Sequence, residues 1–311
     1  MSPVKCVKCR QPAAVEVRRH NAGFCREHFI EHVLRQVQRA IDDEKMFTRQ
    51  DRILVAVSGG KDSLALWDIL QRLGYTADGL HLQLGIGEYS EESAGKTRAF
   101  AESRGLALHV ISVAEELGFG IGELSRLTRR IPCSACGTTK RHLFNRFARQ
   151  HGYDVIATGH NLDDEAATLL GNLLHWQTEY VARQRAVMPA SEAGLVRKVK
   201  PLVRLAEREV AAYAVLAGID YEVDECPMAV GASSHLYKEV LNRLEQAAPG
   251  TKHQFLFGFY ERGRRLFSSE PVALGACRRC GEPTPGEVCA FCRLVERAQA
   301  LAPSPSARPD G

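Results

Sequence analysis

Between residues 52 and 175 the chain alternates two hydrophobic rhythms. Short apolar, β-branched runs occur at Arg52-Ile-Leu-Val-Ala-Val57, Leu80-His-Leu-Gln-Leu84, Leu108-His-Val-Ile-Ser-Val113 and Asp154-Val-Ile-Ala-Thr158. Runs this short and this apolar suit strands covered on both faces. Between them, apolar residues recur every three or four positions, which predicts helices over 64–70, 91–104, 138–151 and 163–175. Strand and helix in strict alternation predict an α/β fold with a doubly wound parallel sheet, whose ligands bind beyond the carboxyl ends of the strands. Helical patterns also cover 28–41, 204–217, 233–266 and 291–301, while the Pro/Ser-rich stretch 302–311 reads as disordered. The organisation expected is an N-terminal module with a linking helix (1–45), a catalytic domain (46–268), a C-terminal module (269–300) and a tail (301–311).

Composition narrows the class without naming a function. The 311 residues are 45% hydrophobic and 25% charged, an ordinary globular balance that excludes a disordered, collagenous or disulfide-stapled chain. No apolar run reaches the roughly 18 residues needed to cross a membrane, and Met1-Ser-Pro-Val-Lys-Cys lacks the apolar core of a secretory signal. A cytoplasmic protein is expected. The net charge of +4 is too small to make nucleic-acid binding an electrostatic certainty. Contact with RNA would have to come from local clusters: Arg126/Arg129/Arg130, Lys140/Arg141, Arg197/Lys198/Lys200 and Arg262/Arg264/Arg265. Each is equally what a solvated helix face or loop looks like.

The ten cysteines change the picture. Cys6-x2-Cys9 and Cys25-x2-His28 form one group, Cys277-x2-Cys280 and Cys289-x2-Cys292 another. Two residues between ligands let one tight knuckle aim both at a single ion, and two knuckles complete the tetrahedron of a closed structural zinc site. Free cysteines that happen to be so spaced are the competing reading, more so for the N-terminal group, because His28 could be a surface helix residue. Cys133 and Cys136 stand in Pro132-Cys-Ser-Ala-Cys-Gly137, just ahead of the 138–151 helical pattern, and Cys226 follows in Asp224-Glu-Cys-Pro227. Three thiolates close no zinc site, but on a [4Fe–4S] cluster they would leave one iron open. Redox cysteines, with Cys226 in a disulfide to Cys133 or Cys136, remain the alternative.

A nucleotide site is expected between these groups. After the 52–57 run comes Ser58-Gly-Gly-Lys-Asp-Ser63, then a helical pattern. Strand, glycine turn and helix present backbone N–H groups and a helix N-terminus to an anion. Ala56, Ser58, Gly59, Gly60, Lys61, Asp62 and Ser63 would bind ATP, with Leu82 and Gly159 from the neighbouring strand ends, and Asp62 would hold Mg²⁺. This is not a Walker A loop, because the first glycine is missing and Asp62 precedes Ser63. A chance Gly-Gly turn is the competing reading.

Ser58-Gly-Gly-Lys-Asp-Ser63, taken with Thr158-Gly-His-Asn-Leu-Asp-Asp164, resembles the PP-loop (N-type ATP pyrophosphatase) superfamily, a Rossmann-like fold. The internal Cys-x2-Cys with its distant third cysteine, the two flanking zinc modules and Leu84-Gly-Ile-Gly-Glu-Tyr-Ser90 are similar to tRNA thiolases of the TtcA/TtuA type, over residues 1 to about 300. The resemblance implies an enzyme that adenylates the C2 carbonyl oxygen of a tRNA uridine and then inserts sulfur, giving 2-thioribothymidine at position 54. It implies ATP, Mg²⁺, a [4Fe–4S] cluster on Cys133, Cys136 and Cys226, two Zn²⁺, a thiocarboxylated ubiquitin-like sulfur carrier of the TtuB type, and a homodimer. Lys140, one helical turn from Cys136, would contact phosphate or sulfur, and Asp164 would lie near the reacting base; otherwise Lys140 is a solvent-facing lysine and Asp164 a helix cap.

Three alternatives stay open. Sulfur could ride on a cysteine persulfide, or the target could be wobble uridine 34 or cytidine 32. The chain could also be a zinc-finger RNA-binding module that senses nucleotide without turnover. Adenylation of some other carbonyl leaves the three-cysteine set without a role.

Overall fold

The computed structural model describes residues 4–228, 233–268, 270 and 272–302. A short hairpin, β1 (Val15–Val17) and β2 (Ala22–Phe24), leads into α1 (Arg26–Asp43). The central domain runs β3 (Ile53–Val57), α2 (Lys61–Arg72), β4 (Ala77–Gln83), α3 (Gly87–Arg104), β5 (Leu108–Ser112), α4 (Val113–Leu117), α5 (Ile121–Thr128), α6 (Pro132–Gln150), β6 (Val155–Thr158) and α7 (Leu162–Leu174). It continues with α8 (Thr178–Arg183), β7 (Val187–Met188), β8 (Arg197–Val199), α9 (Glu207–Leu216), α10 (Ser233–Ala247) and α11 (Thr251–Glu261). A second hairpin, β9 (Gly275–Ala276) and β10 (Pro283–Thr284), precedes α12 (Ala290–Leu301).

The main sheet has the order β5-β4-β3-β6-β8-β7. Strand order reverses between β3 and β6, so the loops leaving these two strands flank the crevice where doubly wound folds bind ligands. Five strands are parallel; β7 pairs antiparallel with β8. The sheet is therefore mixed, not wholly parallel as expected. Strands of two and three residues, such as β7 and β8, are too short to leave a periodic signal in the sequence.

Alternation along the strands divides the core. Ile53, Val55 and Val57 pack on one side with Trp67, Leu70, Val210 and Tyr213. Leu54, Leu80, Leu82 and Ile156 pack on the other with Leu124, Leu143 and Phe291. Each buried aliphatic or aromatic side chain contributes about 1.5–3 kcal/mol. The terminal modules belong to these two cores. Helix α1 sends Phe29, Val33, Val37 and Ile41 into the first. Helix α12 sends Phe291, Leu294 and Ala298 into the second, where the Phe291 ring stacks on His142 at 3.8 Å.

Three helix readings change. The stretch read as 138–151 begins at Pro132, at the first helical position that proline favours, so Cys133 and Cys136 lie within α6 rather than ahead of it. The stretch read as 233–266 is two helices, α10 and α11, broken at Pro249-Gly250 and closed by a 3-10 turn at Gly263–Leu266. Proline cannot supply the N–H a continuous helix needs. Residues 204–217 divide into a 3-10 turn, Pro201–Arg204, and α9. The tail reading falls almost wholly on 303–311, outside the described residues.

Candidate functional site

The turn between β3 and α2 is built around its own side chains. Ser63 Oγ accepts from the Ser58 N–H at 3.0 Å and donates to the Gly60 carbonyl at 3.0 Å, while the Ser58 hydroxyl lies 3.2 Å away. Gly59 has φ +82°, and a Cβ there would stand 2.5 Å from the Ser93 carbonyl oxygen, so only glycine fits. A Cβ at Gly159 would stand 2.9 Å from the Asp62 carbonyl carbon and the Ser63 nitrogen, so the loop after β6 rests directly on the start of α2. The serines and glycines expected to bind nucleotide thus come together at the β3/β6 crevice. Leu82 buries its side chain in the apolar core and lies on β4, one residue past the His81–Val57 pairing, beside the start of the loop.

The charged residues of this loop are engaged with one another. Lys61 Nζ lies 3.0 Å from Asp62 and 2.9 Å from Glu207. Burial works against the Lys61 charge, yet Asp62 and Glu207 hold its pKa above the usual lysine range. Asp62 accepts from the Asn161 amide at 3.1 Å, and burial pushes its carboxyl up despite the Lys61 charge beside it. Asp164 accepts from the Asn161 N–H at 3.0 Å, the reciprocal bond of a capping box, and lies 2.6 Å from Lys238 Nζ. Lys238 also pairs with Glu207 at 3.1 Å. Glu207 and Lys238 are additions to the site expected from sequence; no local pattern marks residues that reach the loop from α9 and α10.

Cys133 and Cys136 occupy the first turns of α6, Cys136 partly buried and Cys133 exposed. Burial pushes the Cys136 thiol up, the ammonium of Lys140 pulls it down, and Cys226 and Cys133 raise it again as neighbouring sulfurs. Lys140 therefore lies beside Cys136. Among the described residues, these three sulfurs do not all lie within 4.8 Å of one another. Tyr89, at the start of α3, senses both Cys226 and Cys136 after its own burial.

One segment ties the cysteines to the nucleotide loop. The Glu222 N–H donates to the Gly59 carbonyl at 2.9 Å, and Gly60 and Glu222 form a parallel bridge. Further along, the Met228 carbonyl accepts from Cys133 Sγ at 3.6 Å. Cys226 sits between these two anchors, so residues 222–228 span from the nucleotide loop to the cysteine helix.

Both terminal groups fit a tetrahedral ion. Cys6, Cys9, Cys25 and His28 place their ligand atoms within 4.8 Å of one another, as do Cys277, Cys280, Cys289 and Cys292. The Cys9–Cys25 and Cys280–Cys289 sulfurs are 3.7 Å apart, against about 3.8 Å expected for a tetrahedron of Zn–S bonds of about 2.3 Å. His28 Nδ1 lies 3.5 Å from Cys6 Sγ and 3.2 Å from Cys25 Sγ. Although burial opposes the charge, N–H groups of Cys289, Cys280 and Arg279 hold the Cys277 thiol down to about 6.

The chain also matches known proteins. Residues 29–230 fit the PP-loop domain family, and residues 5–30 fit the N-terminal LIM domain of the 2-thiouridine synthetase TtuA. A tRNA-5-methyluridine(54) 2-sulfurtransferase from Thermus thermophilus is 54% identical over 93% of this chain and 90% of its own length. One of the same name from Pyrococcus horikoshii is 45% identical over 94% of this chain and 93% of its own. The solved structure of a U34-tRNA thiolase, NcsA from Methanococcus maripaludis with its [4Fe-4S] cluster, superposes with a TM-score of 0.81 at 25% identity, covering 95% of this chain and 97% of that one. No helix among the described residues is long and apolar enough to cross a membrane. The chain belongs to the TtuA family of tRNA 2-sulfurtransferases, within the PP-loop proteins.

Proposed function

We propose that this enzyme thiolates C2 of 5-methyluridine at position 54 of tRNA, using ATP and Mg²⁺. The observation that carries this reading is the 222–228 span, which couples the nucleotide loop at Gly59 to the cysteine helix at Cys133. A carbonyl oxygen is a poor leaving group; as part of AMP it departs readily, so one hard substitution becomes two easier ones. Each step then has residues to serve it.

The backbone of Ser58–Ser63 and the N-terminus of α2 receive the ATP phosphates. Lys61, already held charged by Asp62 and Glu207, neutralises the pyrophosphate as it forms. Asp62 would hold Mg²⁺, its carboxylate oriented by the Asn161 amide. Asp164, fixed by the capping box and Lys238, lines the approach of the base. Cys133, Cys136 and Cys226 would hold a [4Fe–4S] cluster, which with three protein thiolates would supply an iron able to bind the incoming sulfur. Lys140 keeps the surroundings of Cys136 positive, favouring thiolate there and an anionic sulfur species beside it. Two zinc ions close the terminal modules. Sulfur arrives from a thiocarboxylated ubiquitin-like carrier, and the working enzyme is a cytoplasmic homodimer; thiolate-rich metal sites suit a reducing compartment.

The test is mass mapping of thiolated nucleosides in tRNA from cells with and without the protein. Loss of 2-thiolation at position 54 alone is expected. Loss at wobble uridine 34 or cytidine 32, or unchanged tRNA, overturns the assignment. A persulfide trapped on one of the three cysteines in an iron-free, fully active enzyme overturns the role of the cluster.

A further inference from the structure

A cavity of about 400 Å³ opens where the C-terminal end of α5 meets α12, well apart in sequence from the nucleotide loop. Four arginines line it: Arg129 and Arg130 at the end of α5, Arg293 and Arg297 on α12. The last two are one helical turn apart and share a face. Leu294, buried beneath them, anchors that face to the core.

These arginines are unlike their neighbours. Arg126 pairs with Glu123, Arg278 with Glu287 and Arg279 with Glu296. Among the described residues, no carboxylate lies within 4.0 Å of Arg129, Arg130, Arg293 or Arg297. The four guanidinium groups are solvent-exposed around one cavity, and the planar fork of each matches phosphate oxygens in pairs. A helix C-terminus favours one nearby cation, which accounts for Arg129 but not for the pair contributed by α12.

The cavity is also placed beside the chemistry. Arg130 donates through Nε to the Ser134 hydroxyl at 3.0 Å, one residue past Cys133. Between Arg130 and the cysteine helix, Ile131 stands 73% exposed. Arg129 itself is held at φ +51°, in the left-handed region, by the turn that closes α5.

We propose that this four-arginine cavity seats a backbone phosphate of the substrate RNA and so fixes the strand across the mouth of the cysteine site. The proposal rests on the reading of the chain as a tRNA thiolase. Phosphate contacts position a strand without reading its sequence, so the cavity supplies register and the crevice supplies the choice of base. Half of the phosphate seat lies on the C-terminal module, at Arg293 and Arg297, and half in the turn that ends α5 and leads into the cysteine helix, at Arg129 and Arg130.

The test uses the full-length, cluster-loaded, zinc-loaded protein with a tRNA transcript. Arg293→Gln with Arg297→Gln should weaken tRNA binding by about tenfold or more, and the slope of log K against log salt should fall by about 1 for each phosphate that is no longer neutralised. Affinity for ATP, zinc content and melting temperature should remain those of the parent. Arg293→Lys with Arg297→Lys, which keeps charge but not the fork, should restore most of the salt slope and only part of the affinity. Parental tRNA affinity and salt slope in the glutamine pair overturn the proposal, as does an equal weakening of ATP and tRNA binding. If the parent thiolates no tRNA, the function itself has failed; if the parent thiolates and the glutamine pair binds as the parent does, only the phosphate seat has failed.

Discussion

The N–H of Glu222 donates to the carbonyl of Gly59 at 2.9 Å, joining the segment that carries Cys226 to the loop that would hold ATP. Occupation of the loop and placement of the third cysteine therefore share one backbone contact. Because Gly59 is at φ +82° with the Ser93 carbonyl 2.5 Å from any added Cβ, Gly59→Ala should disturb both at once. The expected result is a loss of about 1–3 kcal/mol in stability together with a higher KM for ATP. Thermal melts and nucleotide titration read the two effects separately; unchanged nucleotide affinity would show that the loop is not the ATP site.

Serine in place of Cys133, Cys136 or Cys226 should abolish tRNA thiolation while leaving the fold intact, because none of the three is a fully buried core side chain. Elemental analysis should show iron lost and both zinc ions kept. Full iron content in Cys226→Ser would remove that residue from the ligand set.

The C-terminal zinc group should behave differently. Cys277 and Cys289 belong to the same apolar cluster as Leu143 and Phe291. Cys289→Ser should release one zinc per chain and lower the melting temperature, with loss of activity following from the slackening of α6. A variant that loses its zinc but melts like the parent would contradict this coupling.

Glu282 is the polar part of the same joint. Its carboxylate, only 3% exposed as a residue, accepts from Asn145 at 2.9 Å and from Arg149 Nε at 3.1 Å, both on α6. Glu282→Ala leaves the buried Asn145 amide with one acceptor fewer, at a cost of about 1–3 kcal/mol. Chemical denaturation of the zinc-loaded protein measures it, and a change below about 0.5 kcal/mol would mean the joint is held by Phe291 and Leu294 alone.

Acid should weaken the protein through His81. Buried and bonded at 3.1 Å to the Val57 carbonyl, it has its pKa lowered to about 4, by burial first and by the charges of Lys140 and Arg98. The unfolded chain binds this proton from about pH 6.5 downward while the folded chain does not, so stability falls as pH drops from about 6.5 to about 4, by up to roughly 3 kcal/mol. His81→Asn should flatten that slope in denaturation curves measured across the window. An unchanged slope would show that another group is responsible.

Much of the site was legible because its parts are local. Cysteine pairs two residues apart and a serine-glycine turn between an apolar run and a helix are each completed within a few residues. Their geometry is dictated by covalent reach and backbone hydrogen bonding, which the order of residues carries directly. Even the doubly wound architecture follows from alternating hydrophobic rhythms.

What crosses the chain was decided by packing alone. Cys226 comes beside Cys136, across the 89 residues that separate them in the chain, on a segment anchored by Glu222 at the nucleotide loop and by Met228 at Cys133. Glu207 and Lys238 arrive at Lys61 and Asp164 from two later helices, and the arginines of α5 and α12 meet although more than 160 residues separate them in the chain. No periodicity announces such partners: a side chain's distant neighbours depend on how whole helices and sheet faces bury their apolar area, a sum over many weak contacts that no short stretch of residues contains.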